Sequence, residues 1–221
     1  MGDLFSVFDP NCFKDFDLNW LSMMIFFIIF PYSYWIIPSR SNFLLIYIYK
    51  ILSTEIICLI DKKYKMNLIY FINIFMFMLI NNVFSIFPYV FCSTSHMIIG
   101  LSFSMPMWLT MNLYMSLNKM NIMLAHYVPL STPYVLISFM IIIETISNII
   151  RPLTLSIRLS ANLTAGHLIL SLIGISFLIS KYLFFIIIII QTCLFILEMS
   201  VSFIQSYVFS VLLTLYYSET N

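Results

Sequence analysis

Charge is the scarcest resource in this chain. Of its 221 residues only 9% are Asp, Glu, Lys or Arg, against roughly 25% in an ordinary soluble domain. Ten bases stand against nine acids, for a formal net charge of +1. That is too little to keep an apolar chain dispersed, and it lacks the basic excess that a nucleic-acid binder needs. Apolar residues make up 62%, more than a single domain of this length can bury. A soluble enzyme, a disordered chain and a nucleic-acid-binding module are thereby disfavoured together. Glycine and alanine are scarce as well, with four glycines and alanines only at Ala125, Ala161 and Ala165. Membrane helices normally use those two residues for close packing, so Ser and Thr are left as the small residues, as in the product of an A- and T-rich organellar genome. The four cysteines, Cys12, Cys58, Cys92 and Cys193, have neither disulfide-framework nor zinc spacing and read as packing residues.

What is present is a set of long uncharged runs. Residues 66–118 contain no Asp, Glu, Lys or Arg, well beyond the roughly 18 apolar residues that mark a spanning helix. In a bilayer each helix satisfies its own backbone donors and acceptors. The expected fold is an all-α polytopic membrane protein with about five membrane-embedded helices and one amphipathic surface helix. Residues 1–221 read as a single membrane domain in three parts. The first, 1–65, holds a span over about 18–37 and an interrupted apolar stretch, 43–59, that suits the membrane surface. The second, 66–118, is a helical hairpin with spans at about 68–87 and 97–117. The third, 131–221, holds two long segments, 133–176 and 182–218, expected to form a tilted antiparallel pair.

Acidic Asp3, Asp9, Asp15 and Asp17 precede the first span, while Arg40, Lys50, Lys62, Lys63 and Lys65 follow it. The positive-inside rule places the N-terminus outside and, by parity, the C-terminus inside. The acidic N-terminal stretch has no basic or Arg-rich targeting character, which favours synthesis within an organelle.

The last two segments carry the chemistry. Their apolar background is broken by Glu144, Arg151, Arg158, His167, Glu198 and Glu219, with amides at Asn148, Asn162, Gln191 and Gln205. Ionisable groups within a membrane are costly unless paired or hydrated, and so are functional candidates. Glu144, Arg151 and Arg158 recur at every seventh residue, and Asn148 and Asn162 follow Glu144 and Arg158 by four, which makes one polar stripe on a helix. Gln191, Glu198 and Gln205 repeat the seven-residue spacing. Glu, His, Gln, Asn and Ser can pass a proton by rearranging hydrogen bonds, whereas Arg stays charged and acts as a fixed positive barrier. The alternative is that these groups are buried structural glue, a reading that applies more to Arg151, which can pair with Glu144, than to Arg158.

The stretch ETISNIIRPLTLSIRLSANLTAGHLILSLIG, residues 144–174, closely resembles the subunit a family of F-type ATP synthases. Its signature is R-L-x-A-N-x-x-A-G-H, and the tail L-E-x-x-x-x-x-I-Q-S-Y-V-F at 197–209 fits the same family. So do NVFSIFPY at 82–89, MPMW at 105–108 and AHYVPL at 125–130. The resemblance covers almost the whole chain and implies a proton-conducting stator subunit of the mitochondrial inner membrane, non-catalytic by itself and without cofactor or metal. It assigns the gate to Arg158 and places His167 and Glu198 in a half-channel open to the intermembrane space. Glu144 and Glu219 fall in the matrix half-channel, with Asn162 and Gln205 near the gate. Family members often carry Gln in place of Arg151, so Arg151 and Asn148 are lesser candidates. Nine residues separate Arg158 from His167, about half a turn on an ideal helix, so His167 needs either local bending near Gly166 or a channel opening on another face.

The implied partners are a rotor ring of small hairpin subunits with a buried carboxylate, peripheral-stalk and small accessory membrane subunits, lipid and protons, with no nucleic acid. Two other classes compete. A haem- or quinone-binding redox subunit would need paired axial histidines, and the chain has only His96, His126 and His167. A secondary transporter would show an inverted repeat with broken helices, and Pro152 is the only strong break in the long segments.

Overall fold

The computed structural model describes residues 4–11, 18–29, 35–59, 67–128, 133, 136–179 and 184–220. Every regular element among the described residues is helical: α1 (Ile25–Ile29), α2 (Arg40–Leu59), α3 (Leu68–Ser85), α4 (Met97–Asn118), α5 (Met120–His126), α6 (Ile137–Ile179) and α7 (Phe184–Thr220), with short 3-10 turns at Leu4–Phe8, Leu18–Met24 and Ser93–Ser95. The bounds of α3, α4, α6 and α7 fall close to those expected, with α3 packed chiefly against α7 and α4 against α6. At 1.5 Å per residue α6 and α7 are about 65 and 55 Å long, roughly twice the thickness of a hydrocarbon core. α6 is one continuous helix through Pro152 and Gly166.

One expectation changes. Among the described residues the first span is helical only in part: a 3-10 stretch runs into the short α1, and residues 35–37 are bent rather than helical, while 30–34 of that span lie outside the described residues. Pro38 disfavours helical backbone in the residue before it. Among the described residues, the helices with the length and apolarity of membrane spans are α2, α3, α6 and α7. α2, expected on the membrane surface, meets this test by length and composition although Lys50 and Glu55 interrupt it. α4 is equally long but is diluted by Ser102, Ser104, Thr110, Asn112, Ser116 and Asn118.

The core forms where α3, α6 and α7 meet, around Phe71, Phe75, Met76, Leu159, Phe209 and Leu213. α2 joins it through Leu52 and Ile56, and Tyr207 on α7 donates to Glu55 Oε2 at 3.2 Å. α3 and α7 run antiparallel, pinned at one end by the Asn67 amide donating to the Tyr217 hydroxyl.

Serine and threonine take over the packing role that glycine and alanine leave open. Ser202, Ser206, Ser210 and Thr214 form a buried i, i+4 ridge along α7, and Ser104, Ser156 and Ser160 are buried on α4 and α6. On α7 each hydroxyl donates to a carbonyl three residues back, at 2.8 to 2.9 Å. A side chain so satisfied by its own helix presents a small surface to its neighbour and imposes no polar penalty in lipid. Gly100 on α4 marks a close crossing with α6. A Cβ added there would stand 2.9 Å from Ser156 Cβ and 3.0 Å from Ser156 Cα, and the neighbouring Ser104 donates to the Pro152 carbonyl at 3.2 Å. Gly100→Ala is therefore expected to destabilise the protein by about 1–3 kcal/mol through overpacking, read as a lower temperature of thermal dissociation. Adding Ser156→Gly to the same chain should restore it. An unchanged transition in Gly100→Ala would contradict the α4–α6 crossing.

Candidate functional site

The long helices set the site. Two contacts fix their antiparallel register: Glu198 of α7 lies over Gly166 of α6, and Arg151 of α6 lies over Tyr216 of α7. At the first, a Cβ on Gly166 would come within 2.7 Å of Glu198 Oε1, so the absent side chain makes room for the carboxyl group. At the second, the guanidinium carbon sits 5.1 Å from the Tyr216 ring centroid, a cation–π distance.

α6 has two distinct faces at its centre. Leu155, Ser156, Leu159, Ser160 and Leu163 are buried against the rest of the chain, while Thr154, Ile157, Arg158, Ala161, Asn162 and Ala165 are exposed. Arg158 makes no ion pair among the described residues. It stands on an uncovered face beside two of the chain's three alanines, whose low relief lets another helix approach closely.

Arg151, one seven-residue step earlier, is placed differently. It is half-buried and forms an ion pair with Glu144, with Nη2 and Oε1 3.5 Å apart. Close by, Trp108 Nε1 donates to Asn148 Oδ1 at 3.4 Å. Glu144, Asn148, Arg151, Trp108, Asn112 and Tyr216 line a cavity of about 90 Å³. One water needs roughly 10–15 Å³ by this kind of measure, so several fit.

A second polar region lies beyond Arg158 in the opposite direction along α6. Asn162, Gly166, His167 and Glu198 line a cavity of about 180 Å³. It adjoins a wider cleft of about 770 Å³, whose walls include His167, Ser171, Gln191, Thr192 and Cys92. His167 and Ile86 belong to both. α6 is continuous through Gly166, and one cavity has both Asn162 and His167 in its wall.

The structure thus gathers Glu144, Asn148 and Arg151 at one cavity and Asn162, His167 and Glu198 at another, with Arg158 between them and open to the outside. Gln205 is half-buried on α7 and Gln191 is exposed in the wide cleft. Glu219 lies in the last turn of α7, and its side chain is outside the described residues. Sequence reasoning missed Trp108, Asn112 and Tyr216. Trp108 stood out only as part of the MPMW motif, with no role attached to it, Asn112 sits in an uncharged helix and Tyr216 is one of 14 tyrosines.

Comparison with known proteins gives the family. A family model described as the ATP synthase A chain matches residues 18–218. The chain belongs to that family. It is 45% identical to ATP synthase subunit a of Apis mellifera ligustica over 223 residues, covering 100% of this chain and 98% of the relative. It is 45% identical to ATP synthase subunit a of Drosophila melanogaster over 235 residues, with both chains covered in full. A protein of Rhopalosiphum padi named ATP synthase F(0) complex subunit a is 43% identical over 98% of this chain and 99% of its own length. The all-helical apolar fold and the family together make the chain an animal-type membrane-sector component of ATP synthase.

Proposed function

We propose that the chain is the proton-conducting stator of the ATP synthase membrane sector, with two half-channels separated by Arg158. The observation that carries this reading is a pair of cavities along α6, each with ionisable side chains in its wall, one on each side of an arginine that faces outward. Along the helix Arg158 is about 21 Å from Glu144 and about 14 Å from His167, so the titratable groups of the two cavities lie well to either side of it.

In this mechanism a proton enters from the intermembrane space through the wide cleft and passes His167 and Glu198. It then neutralises a carboxylate on a rotor subunit docked against the Arg158 face. The neutral site turns through lipid and, on reaching the opposite cavity, releases its proton towards Glu144 and the C-terminal Glu219. Asn148 and the Glu144–Arg151 pair hold water in that outlet. The ionised rotor site is then drawn past Arg158, which attracts the carboxylate and repels a free proton. Asn162 and Gln205 orient the exchange beside the gate. The transmembrane potential supplies about 2.3 kcal/mol per charge per 100 mV, which biases rotation when several protons contribute to each ATP. No covalent step falls to this subunit, and none of these steps calls for a cofactor.

The setting follows from the same reading: the mitochondrial inner membrane, N-terminus in the intermembrane space, C-terminus in the matrix, α2 along the matrix surface, and rotor, peripheral-stalk and small accessory subunits as neighbours. Comparison of the two arginines tests the assignment. Arg158→Lys should remove nearly all ATP synthesis, because an ammonium can deprotonate in a low-dielectric site and a guanidinium does not. Arg151→Gln should keep most of it, because an amide still bonds to Glu144 and water. Equal losses in the two variants, measured at equal assembly, would contradict the roles given to them.

A further inference from the structure

The N-terminal turn, Leu4–Phe8, lies far from the long helices in sequence yet reaches one of their ionisable side chains. Phe5 is 68% exposed and Val7 57%, whereas Phe8 is half-buried. Phe8 sits against His167, with ring centroids 6.3 Å apart and ring planes at 84°. Val7, next to it, stands in the wall of the wide cleft together with His167, Ser171 and Gln191. The turn is anchored from behind: Asn19 Nδ2 donates to the Asp9 carbonyl at 3.3 Å, which ties it to the 3-10 stretch Leu18–Met24. Trp20 of that stretch packs in turn on Phe91 and His96, with ring centroids 5.9 and 5.1 Å away.

A perpendicular aromatic pair is a preferred geometry, because the positive edge of one ring meets the negative face of the other. It also restricts rotation about the last side-chain bond of the imidazole, a torsion that is otherwise broad. For a relay histidine that restriction matters. Such a residue accepts a proton at one ring nitrogen and releases one from the other, so a turn of the ring exchanges the two nitrogens and breaks the hydrogen-bonded path. His167 Nε2 is enclosed without a hydrogen-bond partner. That nitrogen does not hold the ring in place, and packing must.

We infer that Phe8 is a positioning residue for the proton relay, holding the His167 ring in one orientation where the wide cleft meets the inner cavity, and that the Leu4–Phe8 turn is part of the inlet wall. The inference rests on the half-channel reading above. It adds to that reading a segment outside the long helices.

The test is a double-mutant cycle on proton flux, in vesicles holding the assembled complex, with Phe8→Ala, His167→Gln and the two together. Phe8→Ala should lower flux by about threefold, the order set by the loss of one aromatic pair. Phe8→Tyr keeps the ring and should stay near the parent value. His167→Gln keeps a hydrogen-bonding side chain and should leave a reduced, measurable flux. In that background Phe8→Ala should have no further effect, because no imidazole is left to orient. Losses that multiply in the double variant would give Phe8 a merely structural role and overturn the inference. Unchanged flux in Phe8→Ala, with flux lowered in His167→Gln, overturns this inference alone. Unchanged flux in His167→Gln removes His167 from the half-channel reading, and this inference with it. Should Phe8→Ala not assemble, a density map of the unmodified complex decides. A Phe8 ring edge-on to His167 supports the inference, and water or another subunit's side chain between the two rings overturns it.

Discussion

Arg158→Ala is expected to abolish coupled ATP synthesis and, in the same membranes, to let protons leak through stator and rotor together. The reason is electrostatic. A fixed positive charge about 4 Å from the path of a proton raises its energy by about 4 kcal/mol at an effective dielectric constant near 20. Each 1.4 kcal/mol is a factor of ten, so the passive leak rises by up to roughly a thousandfold when that charge is removed. Arg158 also stands on an exposed face with no ion pair among the described residues. Its removal therefore leaves no buried carboxylate unpaired within the chain, and assembly should survive. Flux in vesicles stripped of the soluble catalytic head reads the leak directly. A tight membrane with no leak, in a variant that has lost synthesis, would remove Arg158 from the role of barrier.

Glu198→Leu should have a defect of the opposite sign, lowering proton flux in coupled and passive assays alike. Glu198 is half-buried beside Gly166, and its cavity is shared with His167 and Asn162. An apolar side chain there removes the titratable site and displaces its water. A proton must then cross a stretch where an unsolvated charge costs about 3 kcal/mol, which is a loss of roughly a hundredfold. Glu198→Gln separates the two contributions, since it retains hydrogen bonding and loses titration. A leak from Glu198→Leu together with a block from Arg158→Ala would exchange the roles of gate and relay and sink the mechanism.

The contrast between Arg151 and Arg158 shows what repetition along a sequence can conceal. The two residues lie one seven-residue step apart in similar surroundings, and spacing alone puts them on one stripe. The fold separates them through their neighbours. Tyr216 and Glu144 close around Arg151, whereas Arg158 is exposed and has no ion pair among the described residues. A seven-residue repeat fixes the side of the helix to within about 20°. Whether that side is occupied depends on where α4 and α7 end, and the local pattern holds no record of it.

The membrane setting, the helical class, the boundaries of α3, α4, α6 and α7, and the polar residues that interrupt the last two helices are all legible in the amino-acid order. These follow from charge scarcity and from the cost of unpaired backbone in a bilayer, both of which are additive along the chain. The packing use of serine is legible in the same way, because a chain nearly without glycine and alanine has few other small residues. Which polar groups share a cavity comes from the packing of the helices. Trp108, Asn112 and Tyr216 join Glu144, and Ile86 and Asn162 join His167 and Glu198, through contacts between helices far apart in the chain. The same packing seals Asn82, one of several asparagines in an uncharged hairpin, from solvent with its amide unpaired. Burial depends on every helix that surrounds a residue, and a residue's own neighbours in sequence account for only one of them.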